Sequence, residues 1–359
     1  MLILLDNIIY SLQTAGGIST YWQELTRRVL RDELPVSFLE FPNCNVNRKE
    51  IDIPQSKVLN IQKYPILVER FRQLALKSYR SNFIFHSSYN RVTSNPNALQ
   101  VITIHDFVHE KYYSGTRQIL HSYLKNRAIK SANKIITVSE NTKTDLLERF
   151  PNLSPTKIKV IYNGVSDCFF PIDSVETYST QKPFLLYVGS REHYKNFTFA
   201  IKVLKELKDF DLYIVGSPLN DIESSTLNSN IADRFKVFTA VNPSKLNELY
   251  NSAFALLYPS SYEGFGIPLL EAMKCGTPFL ALRRSSIPEV AGDAGILIDQ
   301  LDIDAFTSAI MSIDLDREKL RAKGFNQVKK FSWEKSFQET IKVYNELYNN
   351  EDFNHNSCI

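Results

Sequence analysis

The sequence lacks several features that would point to whole classes of protein. It has four cysteines among its 359 residues. Cys44, Cys168, Cys275 and Cys358 lie far apart, without a CxxC pair or neighbouring histidines at metal-ligand spacing, so neither a structural zinc site nor a disulfide framework is expected. No apolar run approaches the roughly 18 residues that a membrane-spanning helix needs. Asp6 directly follows the opening apolar residues, unlike a secretory signal, so a reduced cytoplasmic setting is expected.

A strong net charge is also missing. The 42 Lys+Arg and 39 Asp+Glu give a formal net charge of +3, and 43% of the residues are hydrophobic. Disorder requires the opposite composition, so we expect a globular chain, and its length favours two domains. Basic residues outnumber acidic ones in 1–169 and the reverse holds in 170–359. Because the sequence has no nucleic-acid-binding signature, we expect the basic half to meet an anionic membrane or a phosphorylated substrate.

Short β-branched and aromatic runs alternate with amphipathic stretches through almost the whole chain, a pattern that predicts βαβ units and parallel sheets. The predicted helices of the first half are 18–31, 66–80, 117–132 and 141–149. The predicted strands are 2–8, 36–41, 83–86, 101–104, 134–139 and 157–162, then 184–190, 211–217, 235–238, 253–260, 278–282 and 295–298. Two sheets are therefore expected.

A turn-rich segment separates the two predicted sheets. Residues 163–183 contain Asn-Gly, two prolines and a Ser/Thr-rich stretch, which indicates a linker. We therefore predict an N-terminal domain over 1–169 and a C-terminal domain over 170–332. A closing helix over 333–348 is long enough to cross back to the first domain.

The most informative stretch is SSYEGFGIPLLEAMKCGTP at residues 260–278. Its glycines permit a tight turn after an apolar strand, and Pro268 suits the first turn of a helix. Helix starts present free N–H groups and a positive dipole end, so this turn suits an anion such as phosphate. Glu263 and Glu271 flank the turn and could accept hydrogen bonds from sugar hydroxyls. A tight turn without a ligand is the alternative.

Three further stretches follow predicted strands. YVGSREHYKN at 187–196 places Arg191 and Lys195 at a sheet edge where ligands gather, and the two cations could hold a diphosphate. Gly16 and Gly17 lie between the first strand and its helix, where backbone amides can approach an anion. His105 ends a strand and could hydrogen-bond to a hydroxyl. A solvated loop for the cations and a structural role for the histidine are the alternatives.

Three Asp-x-Asp triplets could hold a divalent metal together with a nucleotide. They are Asp209/Asp211, Asp302/Asp304 and Asp314/Asp316. The first precedes a predicted strand, and the other two lie at predicted helix starts, where aspartate is favoured as a cap. We therefore expect no metal site.

Together these stretches resemble the retaining nucleotide-sugar glycosyltransferases of family 4, of the bacterial surface-polysaccharide type. The resemblance covers nearly the whole chain. It runs through GGIS (16–19), TIHD (103–106), ITVSENTK (136–143), VIYNGV (160–165), VGSREHYKN (188–196), YPSSYEGFGIPLLEAMKCGTP (258–278), SSIPEVAGDAG (285–295) and the closing FSW helix. It implies an α/β fold of the GT-B type, with two Rossmann-like parallel-sheet domains facing each other across a cleft.

The resemblance also implies roles for particular residues. In the family the first glutamate of the motif contacts the donor sugar and the second binds the nucleotide ribose, which points to Glu263 and Glu271. The diphosphate would be bound by Arg191 and Lys195, although many members place arginine directly before the lysine, where this chain has Tyr194. Amides of Phe265, Gly266 and Ile267 would touch the sugar and phosphate, Gly16 and Gly17 would close over the donor, and His105 would line the reaction centre.

The implied reaction is front-face transfer with retention. One glutamate lies on the turn and the other two helical turns further on, unlike the close carboxylate pair of a double-displacement glycosidase, so no covalent intermediate is expected. Arg191, Lys195 and the helix start would stabilise the departing nucleoside diphosphate. The nucleotide sugar is a substrate and no cofactor is expected. A nucleotide-sugar epimerase or hydrolase, and a non-catalytic nucleotide-sugar binder, are the alternatives.

Donor and acceptor are suggested less directly. GDP-mannose is the first choice of donor, because TIHD and SREHYKN resemble mannosyl-adding members, while UDP-hexoses and dTDP-rhamnose stay open. Residues 57–80 carry several basic side chains against a single acidic one, with apolar residues at helical spacing, and predict an amphipathic basic helix. Such a helix would dock on the anionic surface of the inner face of the membrane. The expected acceptor is then a lipid-linked saccharide in that membrane, from polysaccharide or O-antigen biosynthesis. A core-packed helix with a solvated basic side is the alternative.

Overall fold

The computed structural model describes residues 1–172 and 182–356. Part of the predicted linker, residues 173–181, and Cys358 lie outside this range. The described chain forms two compact units. The first comprises residues 1–163 together with the C-terminal helix, and the second comprises residues 164–332.

The division between the units lies a few residues before the predicted boundary, which was 169/170. The short stretch that follows it is hydrogen-bonded within the second unit. Lys274 Nζ donates to the carbonyl of Ser166 at 3.1 Å, and the backbone N–H of Phe170 donates to Asn247 Oδ1 at 3.0 Å. These bonds attach the residues before 170 to the second unit.

The first unit is built on seven strands, whose buried apolar residues suit a parallel sheet covered on both faces. They are β1 (Leu2–Asp6), β2 (Val36–Leu39), β3 (Val58–Leu59), β4 (Phe83–Ser87), β5 (Ala98–Ile104), β6 (Lys134–Thr137) and β7 (Ile158–Val160). The helices are α1 (Ile9–Leu12), α2 (Gly17–Arg31), α3 (Val46–Lys49), α4 (Ile66–Glu69), α5 (Val108–Tyr112), α6 (Gly115–Ser131) and α7 (Glu140–Arg149). The strand order is β3-β2-β1-β4-β5-β6-β7, and every pairing is parallel.

The second unit repeats this architecture on six strands. They are β8 (Phe184–Val188), β9 (Asp211–Val215), β10 (Phe235–Phe238), β11 (Ala255–Tyr258), β12 (Phe279–Leu282) and β13 (Ile296–Ile298). The helices are α8 (Phe197–Glu206), α9 (Asp221–Ile231), α10 (Pro243–Ser252), α11 (Ile267–Cys275), α12 (Ile287–Ala291) and α13 (Ile303–Val328), and α14 (Trp333–Asn356) follows. The order β10-β9-β8-β11-β12-β13 is again parallel throughout, so both units are Rossmann-like and the predicted fold class is confirmed.

Helix α14 packs within the first unit. Its side chains Phe337, Tyr344 and Leu347 are buried. At its start, Glu334 accepts hydrogen bonds from Arg28 Nε at 3.1 Å and from Arg31 Nη1 at 2.7 Å, both on α2. Apolar burial and these ion pairs hold the helix against the unit formed by the first half of the chain.

The helix predicted over 66–80 and the basic amphipathic helix predicted over 57–80 are both wrong. Apart from a 3-10 turn that ends at Lys57, only Ile66–Glu69 is helical in this segment. Beyond it, Leu74 forms a parallel bridge with Thr93. The N–H of Leu74 donates to the carbonyl of Val92 at 3.0 Å, and its carbonyl accepts from the N–H of Ser94 at 2.8 Å. These backbone groups are unavailable for the i to i+4 bonds of a helix, so the periodic apolar residues do not form one continuous face.

Candidate functional site

The structure brings Lys195 and Glu263 together. Lys195 ends a short 3-10 turn, His193–Lys195, that follows β8, and Glu263 follows β11, the neighbouring strand. Lys195 Nζ donates to Glu263 Oε1 at 2.6 Å, and the two side chains are 13% and 12% exposed. An ammonium and a carboxylate thus lie side by side at the carboxyl edge of the second sheet, where parallel α/β sheets bind ligands.

The glycine turn between Glu263 and α11 is held in place by two serines that the sequence analysis did not single out. The N–H of Glu263 donates to Ser285 Oγ at 2.8 Å. Ser286 Oγ lies 2.9 Å from the carbonyl oxygens of both Glu263 and Phe265. The stretch SSIPEV had been noted only as part of the resemblance. Its serines fix the turn from the next loop along the sheet.

The start of α11 has the geometry of an anion site. Gly266 precedes the helix with φ 110°, a conformation that favours glycine, and Ile267 is the first helical residue. In the described chain no side chain caps this helix start. Phe265 is buried and packs edge-on against Phe331, with ring centroids 5.8 Å apart. Pro268 has no N–H, and the N–H of Leu269 donates to the carbonyl of Gly266 at 3.0 Å. An anion at this turn would therefore meet the N–H groups of Gly266 and Ile267.

Glu271 lies further along α11 and titrates near neutrality. Its Oε2 accepts a hydrogen bond from the hydroxyl of Tyr250 at 2.7 Å. Burial raises the pKa of this carboxyl to about 7, and the bond from Tyr250 opposes part of that rise. Around pH 7 the group is divided between its protonated form and the carboxylate, which is the form that accepts two hydrogen bonds from a diol.

Arg191 is anchored by an acidic partner that the sequence analysis missed. Its Nε donates to Glu223 Oε1 at 2.8 Å, and its Nη2 donates to the carbonyl of Pro218 at 2.8 Å. Glu223 is itself fixed by the capping box that it forms with Asn220 at the start of α9. Among the described residues, Arg191 Nη1 is buried without a hydrogen-bond partner. The guanidinium is thus fixed on one side by Glu223 and Pro218, and one of its nitrogens has no hydrogen-bond partner in the described part of the chain.

The glycine turn of the first unit lies directly before α2. Gly16 has φ 156°, and its carbonyl accepts from the N–H of Thr20 at 3.0 Å and from Ser19 Oγ at 2.9 Å. Gly16 and Gly17 are both exposed, and a Cβ at Gly17 would meet nothing within 4 Å. The turn is open to solvent, as an anion-binding turn must be.

His105 follows β5 and is neutral over the physiological range. Burial lowers its pKa to about 4, Asp106 opposes this shift, and Lys125 adds to it. The ring of Tyr21 meets its ring edge-on, with centroids 5.0 Å apart. A neutral imidazole offers one donor and one acceptor, so it can hydrogen-bond to a hydroxyl in either sense.

A buried polar chain lies behind Tyr21 and was not predicted. His86 Nδ1 is 2.5 Å from the hydroxyl of Tyr344 on α14, and His86 Nε2 is 3.0 Å from Thr103 Oγ1. Thr103 Oγ1 is in turn 3.1 Å from the hydroxyl of Tyr21. The sequence analysis assigned no role to His86. This series of hydrogen bonds fixes the ring of Tyr21, which contacts His105.

The acidic triplets have structural roles in the described chain. Asp302 caps α13 by accepting from the N–H of Ala305 at 2.8 Å. Asp314 lies inside α13 rather than at a helix start, contrary to the prediction, and pairs with Arg317 at 3.0 Å. Among the described residues no three His, Cys, Asp or Glu side chains group as metal ligands.

No helix in the described part is long and apolar enough to cross a membrane.

Comparison with known proteins identifies both halves of the chain. Residues 15–167 match the sequence model of glycosyltransferase family 4, and residues 172–331 match that of the group 1 glycosyl transferases. O-antigen chain mannosyltransferase B of Escherichia coli is 28% identical over 314 residues, 79% of this chain and 81% of that protein. O-antigen chain mannosyltransferase RfbU of Salmonella typhimurium is 30% identical over 221 residues, 60% of this chain and 61% of its own length.

Solved structures agree on the fold. Sucrose-phosphate synthase from Thermosynechococcus elongatus superposes with a TM-score of 0.75 at 18% identity, over 98% of this chain and 100% of its own. WaaG, a glycosyltransferase involved in lipopolysaccharide biosynthesis, superposes with a TM-score of 0.74 at 15% identity, over 96% of this chain and 99% of its own. Anabaena HepE in complex with UDP-glucose superposes with a TM-score of 0.73 at 16% identity, over 96% of this chain and 100% of its own.

Proposed function

This chain belongs to the family 4 glycosyltransferases, with the GT-B fold, and from that membership we propose that it moves a hexose with retention from a nucleotide sugar to a saccharide acceptor. The observation that carries the proposal is the contact of Lys195 Nζ with Glu263 Oε1, at 2.6 Å, beside the uncapped start of α11. Positive charge for a diphosphate and a carboxylate for sugar hydroxyls thus lie within one hydrogen bond of each other.

The proposed chemistry divides the work among these groups. Lys195, the first turn of α11 and Nη1 of Arg191 stabilise the negative charge on the departing nucleoside diphosphate. Glu263 accepts a hydrogen bond from the donor sugar, and Glu271 accepts from the ribose. The acceptor hydroxyl attacks on the face that the leaving group vacates, and its proton passes to a diphosphate oxygen. We also assign the neutral imidazole of His105 a hydrogen bond to the reacting sugar.

The choice of substrates rests on the relatives. Two of them are O-antigen chain mannosyltransferases, which supports GDP-mannose as the donor and a lipid-linked saccharide of O-antigen or related polysaccharide synthesis as the acceptor. HepE was solved with UDP-glucose, so UDP-hexoses are the competing donors. Segment 57–80 forms no continuous helix, so the proposed function includes no docking of such a helix on an anionic membrane.

A donor-binding experiment tests the proposal. Thermal unfolding is followed with GDP-mannose, UDP-glucose, UDP-galactose and dTDP-rhamnose, for the unmodified chain and for Glu271→Ala. A donor that binds only the folded state raises the melting temperature by mass action, and the shift should be selective and absent in the variant. No shift with any nucleotide sugar would contradict the proposal.

Product analysis separates the remaining alternatives. The proposal requires the hexose to appear on a saccharide acceptor in the same anomeric configuration as in the donor. Turnover of the donor without acceptor would indicate an epimerase or hydrolase. Binding that leaves the donor unchanged with every acceptor tried would indicate a non-catalytic binder.

We further propose that transfer needs no metal ion. Lys195 and the helix start place positive charge beside Glu263, while Asp302 and Asp314 are occupied as a cap and an ion-pair partner. Activity should therefore be the same after dialysis against EDTA and after addition of Mg²⁺ or Mn²⁺. Activity that disappears with EDTA and returns with Mg²⁺ would contradict this.

A further inference from the structure

A cavity that the proposed donor site does not use lies in the first unit. Its volume is ≈ 500 Å³. It is bordered by the chain just after β1, by α4 and by α5 and α6, which places it at the carboxyl edge of the first sheet. One wall includes Gln13, and a Cβ on Gly16 would lie only 3.0 Å from Gln13 Oε1. The cavity is therefore adjacent to the Gly16-Gly17 turn.

Arg70 supplies an uncompensated cation to this cavity. Its neighbour Glu69 bonds to Arg72 and Arg91, but among the described residues the Arg70 side chain has no hydrogen bond or ion pair. The guanidinium lies over the ring of Phe71, 4.8 Å from its centroid, and its Nε is buried. A half-buried guanidinium without an acidic partner is favourable only if an anion or water satisfies it.

A pair of imidazoles forms another part of the wall. The rings of His109 and His121 are stacked, with centroids 3.7 Å apart and planes at 11°. The hydroxyl of Tyr89 lies 2.9 Å from His121 Nδ1. The nearby carboxylate of Glu110 is 2.8 Å from Lys125 Nζ, so its charge is offset. Arginine with imidazole and phenol groups, and no unpaired carboxylate, suits a phosphate or diphosphate.

The rim of the cavity is apolar on two sides. Of the residues that border the cavity, Leu67 on α4 is 68% exposed and Leu120 on α6 is 38% exposed. Exposed aliphatic side chains beside a basic cavity fit a ligand that has both a charged group and a hydrocarbon chain.

We propose that this cavity binds the phosphate or diphosphate that joins the acceptor saccharide to its lipid, with the hydrocarbon chain lying along Leu67 and Leu120. Arg70 and the stacked imidazoles hold the anion. The inference rests on the proposed lipid-linked acceptor and gives that acceptor a binding site. It also explains why Arg70, in a segment that forms no basic helix, is left without a partner.

Imidazole NMR gives a readout that is local to the cavity, because the chain has 6 histidines. The full chain is titrated with farnesyl diphosphate, inorganic diphosphate and farnesol, and the histidines are assigned with His109→Gln and His121→Gln. Farnesyl diphosphate should shift the resonances of His109 and His121. Diphosphate that enters the donor site should instead shift His193, which lies in the same short turn as Lys195.

Matched variants separate the two halves of the ligand. Arg70→Gln should weaken farnesyl diphosphate binding at this cavity by about tenfold, the effect of losing one charge-assisted contact, while Arg80→Gln, an exposed arginine of the same unit, should not. Leu67→Asn should weaken farnesyl diphosphate but not inorganic diphosphate. Leu315→Asn, on the exposed surface of the second unit, is its control.

Three results would overturn the proposal. They are unshifted His109 and His121 resonances, equal affinity of Arg70→Gln and the unmodified chain, and inorganic diphosphate binding the cavity as tightly as farnesyl diphosphate, which would indicate a site for free phosphate. If the NMR titration fails while nucleotide sugars still raise the melting temperature, the transferase proposal stands and only the lipid-phosphate site is contradicted. If the nucleotide sugars cause no thermal shift while the NMR titration succeeds, the transferase proposal is contradicted and the binding of farnesyl diphosphate to the cavity is not.

Discussion

Glu271 shows how a single residue can make donor binding depend on pH. Burial raises its pKa to about 7, so the carboxylate that the ribose needs is depleted below neutrality. His105 and His86, with pKa values lowered by burial to about 4 and about 3, do not titrate in the same range. Of these three groups, only Glu271 changes its charge between pH 6 and pH 8.

We expect the affinity for GDP-mannose to fall roughly tenfold from pH 8 to pH 6, following the ionised fraction of a group with a pKa near 7. Isothermal titration calorimetry measures this directly. Glu271→Gln should bind weakly and equally at both pH values. An unmodified chain whose affinity does not change between pH 6 and pH 8 would show that Glu271 does not contact the donor as a carboxylate.

The pairing partners of the predicted site residues could not be found from residue types alone. Lys195 and Arg191 were both predicted as diphosphate ligands. The structure pairs Lys195 with Glu263, which follows β11, and Arg191 with Glu223, which lies in the first turn of α9. Glu223 has no sequence signal beyond an ordinary helix N-terminal capping pattern with Asn220, so its second role depends on where β8 and β9 end.

At the scale of elements, strands were easier to predict than the segment 57–80. The inner strands of both sheets are apolar runs that are largely buried on both faces, and that pattern is visible without tertiary contacts. The apolar spacing of 66–80 also fits a helix, but Leu74 pairs with the loop at 92–94 instead. The two-residue strand β3, Val58–Leu59, is too short to produce a recognisable pattern.

The ends of β8 and β9 provide a test at this scale. A Cβ on Gly216 would lie 2.7 Å from the carbonyl oxygen of Gly189 and 3.1 Å from Arg191 Nη1. Because the first of these is backbone, Gly216→Ala must displace the strand ends, and we expect a loss of about 1–3 kcal/mol in the free energy of unfolding. Weaker GDP-mannose binding should accompany it. Urea denaturation and calorimetry measure the two effects.

The control for this substitution is Gly324→Ala, near the C-terminal end of α13. There the new Cβ would make an ordinary contact with Met273 Cγ at 3.4 Å. Alanine has the higher helix propensity, so stability should be unchanged or slightly increased. If Gly216→Ala behaved like this control, the close approach of the two strand ends would not matter for the donor site.

At the scale of the whole molecule, helix α14 belongs to the first unit although it is last in the chain. It contacts α2 and strands β4, β5 and β6. Each of its buried apolar side chains contributes about 1.5–3 kcal/mol, so several together are comparable with the net stability of a domain.

A chain ending at residue 332 should therefore lose amide-exchange protection in β4, β5 and β6 while the second unit keeps its protection. Hydrogen–deuterium exchange with mass spectrometry reads both units in one sample. Glu334→Ala, which removes the ion pairs to α2 but keeps the apolar burial, should lose much less protection. Equal protection of the first unit with and without α14 would show that the helix is dispensable for its stability.

The sequence by itself determined the two parallel sheets, the helix start after Gly266 and most of the residues at the sheet edges, because hydrophobic pattern and glycine conformation act over a few neighbouring positions. Only the tertiary structure decided which of those residues meet. Lys195 and Glu263 are 68 positions apart, and their contact depends on β8 and β11 being neighbours. The cavity at Arg70 and the packing of α14 likewise depend on which elements become adjacent, which no local pattern encodes.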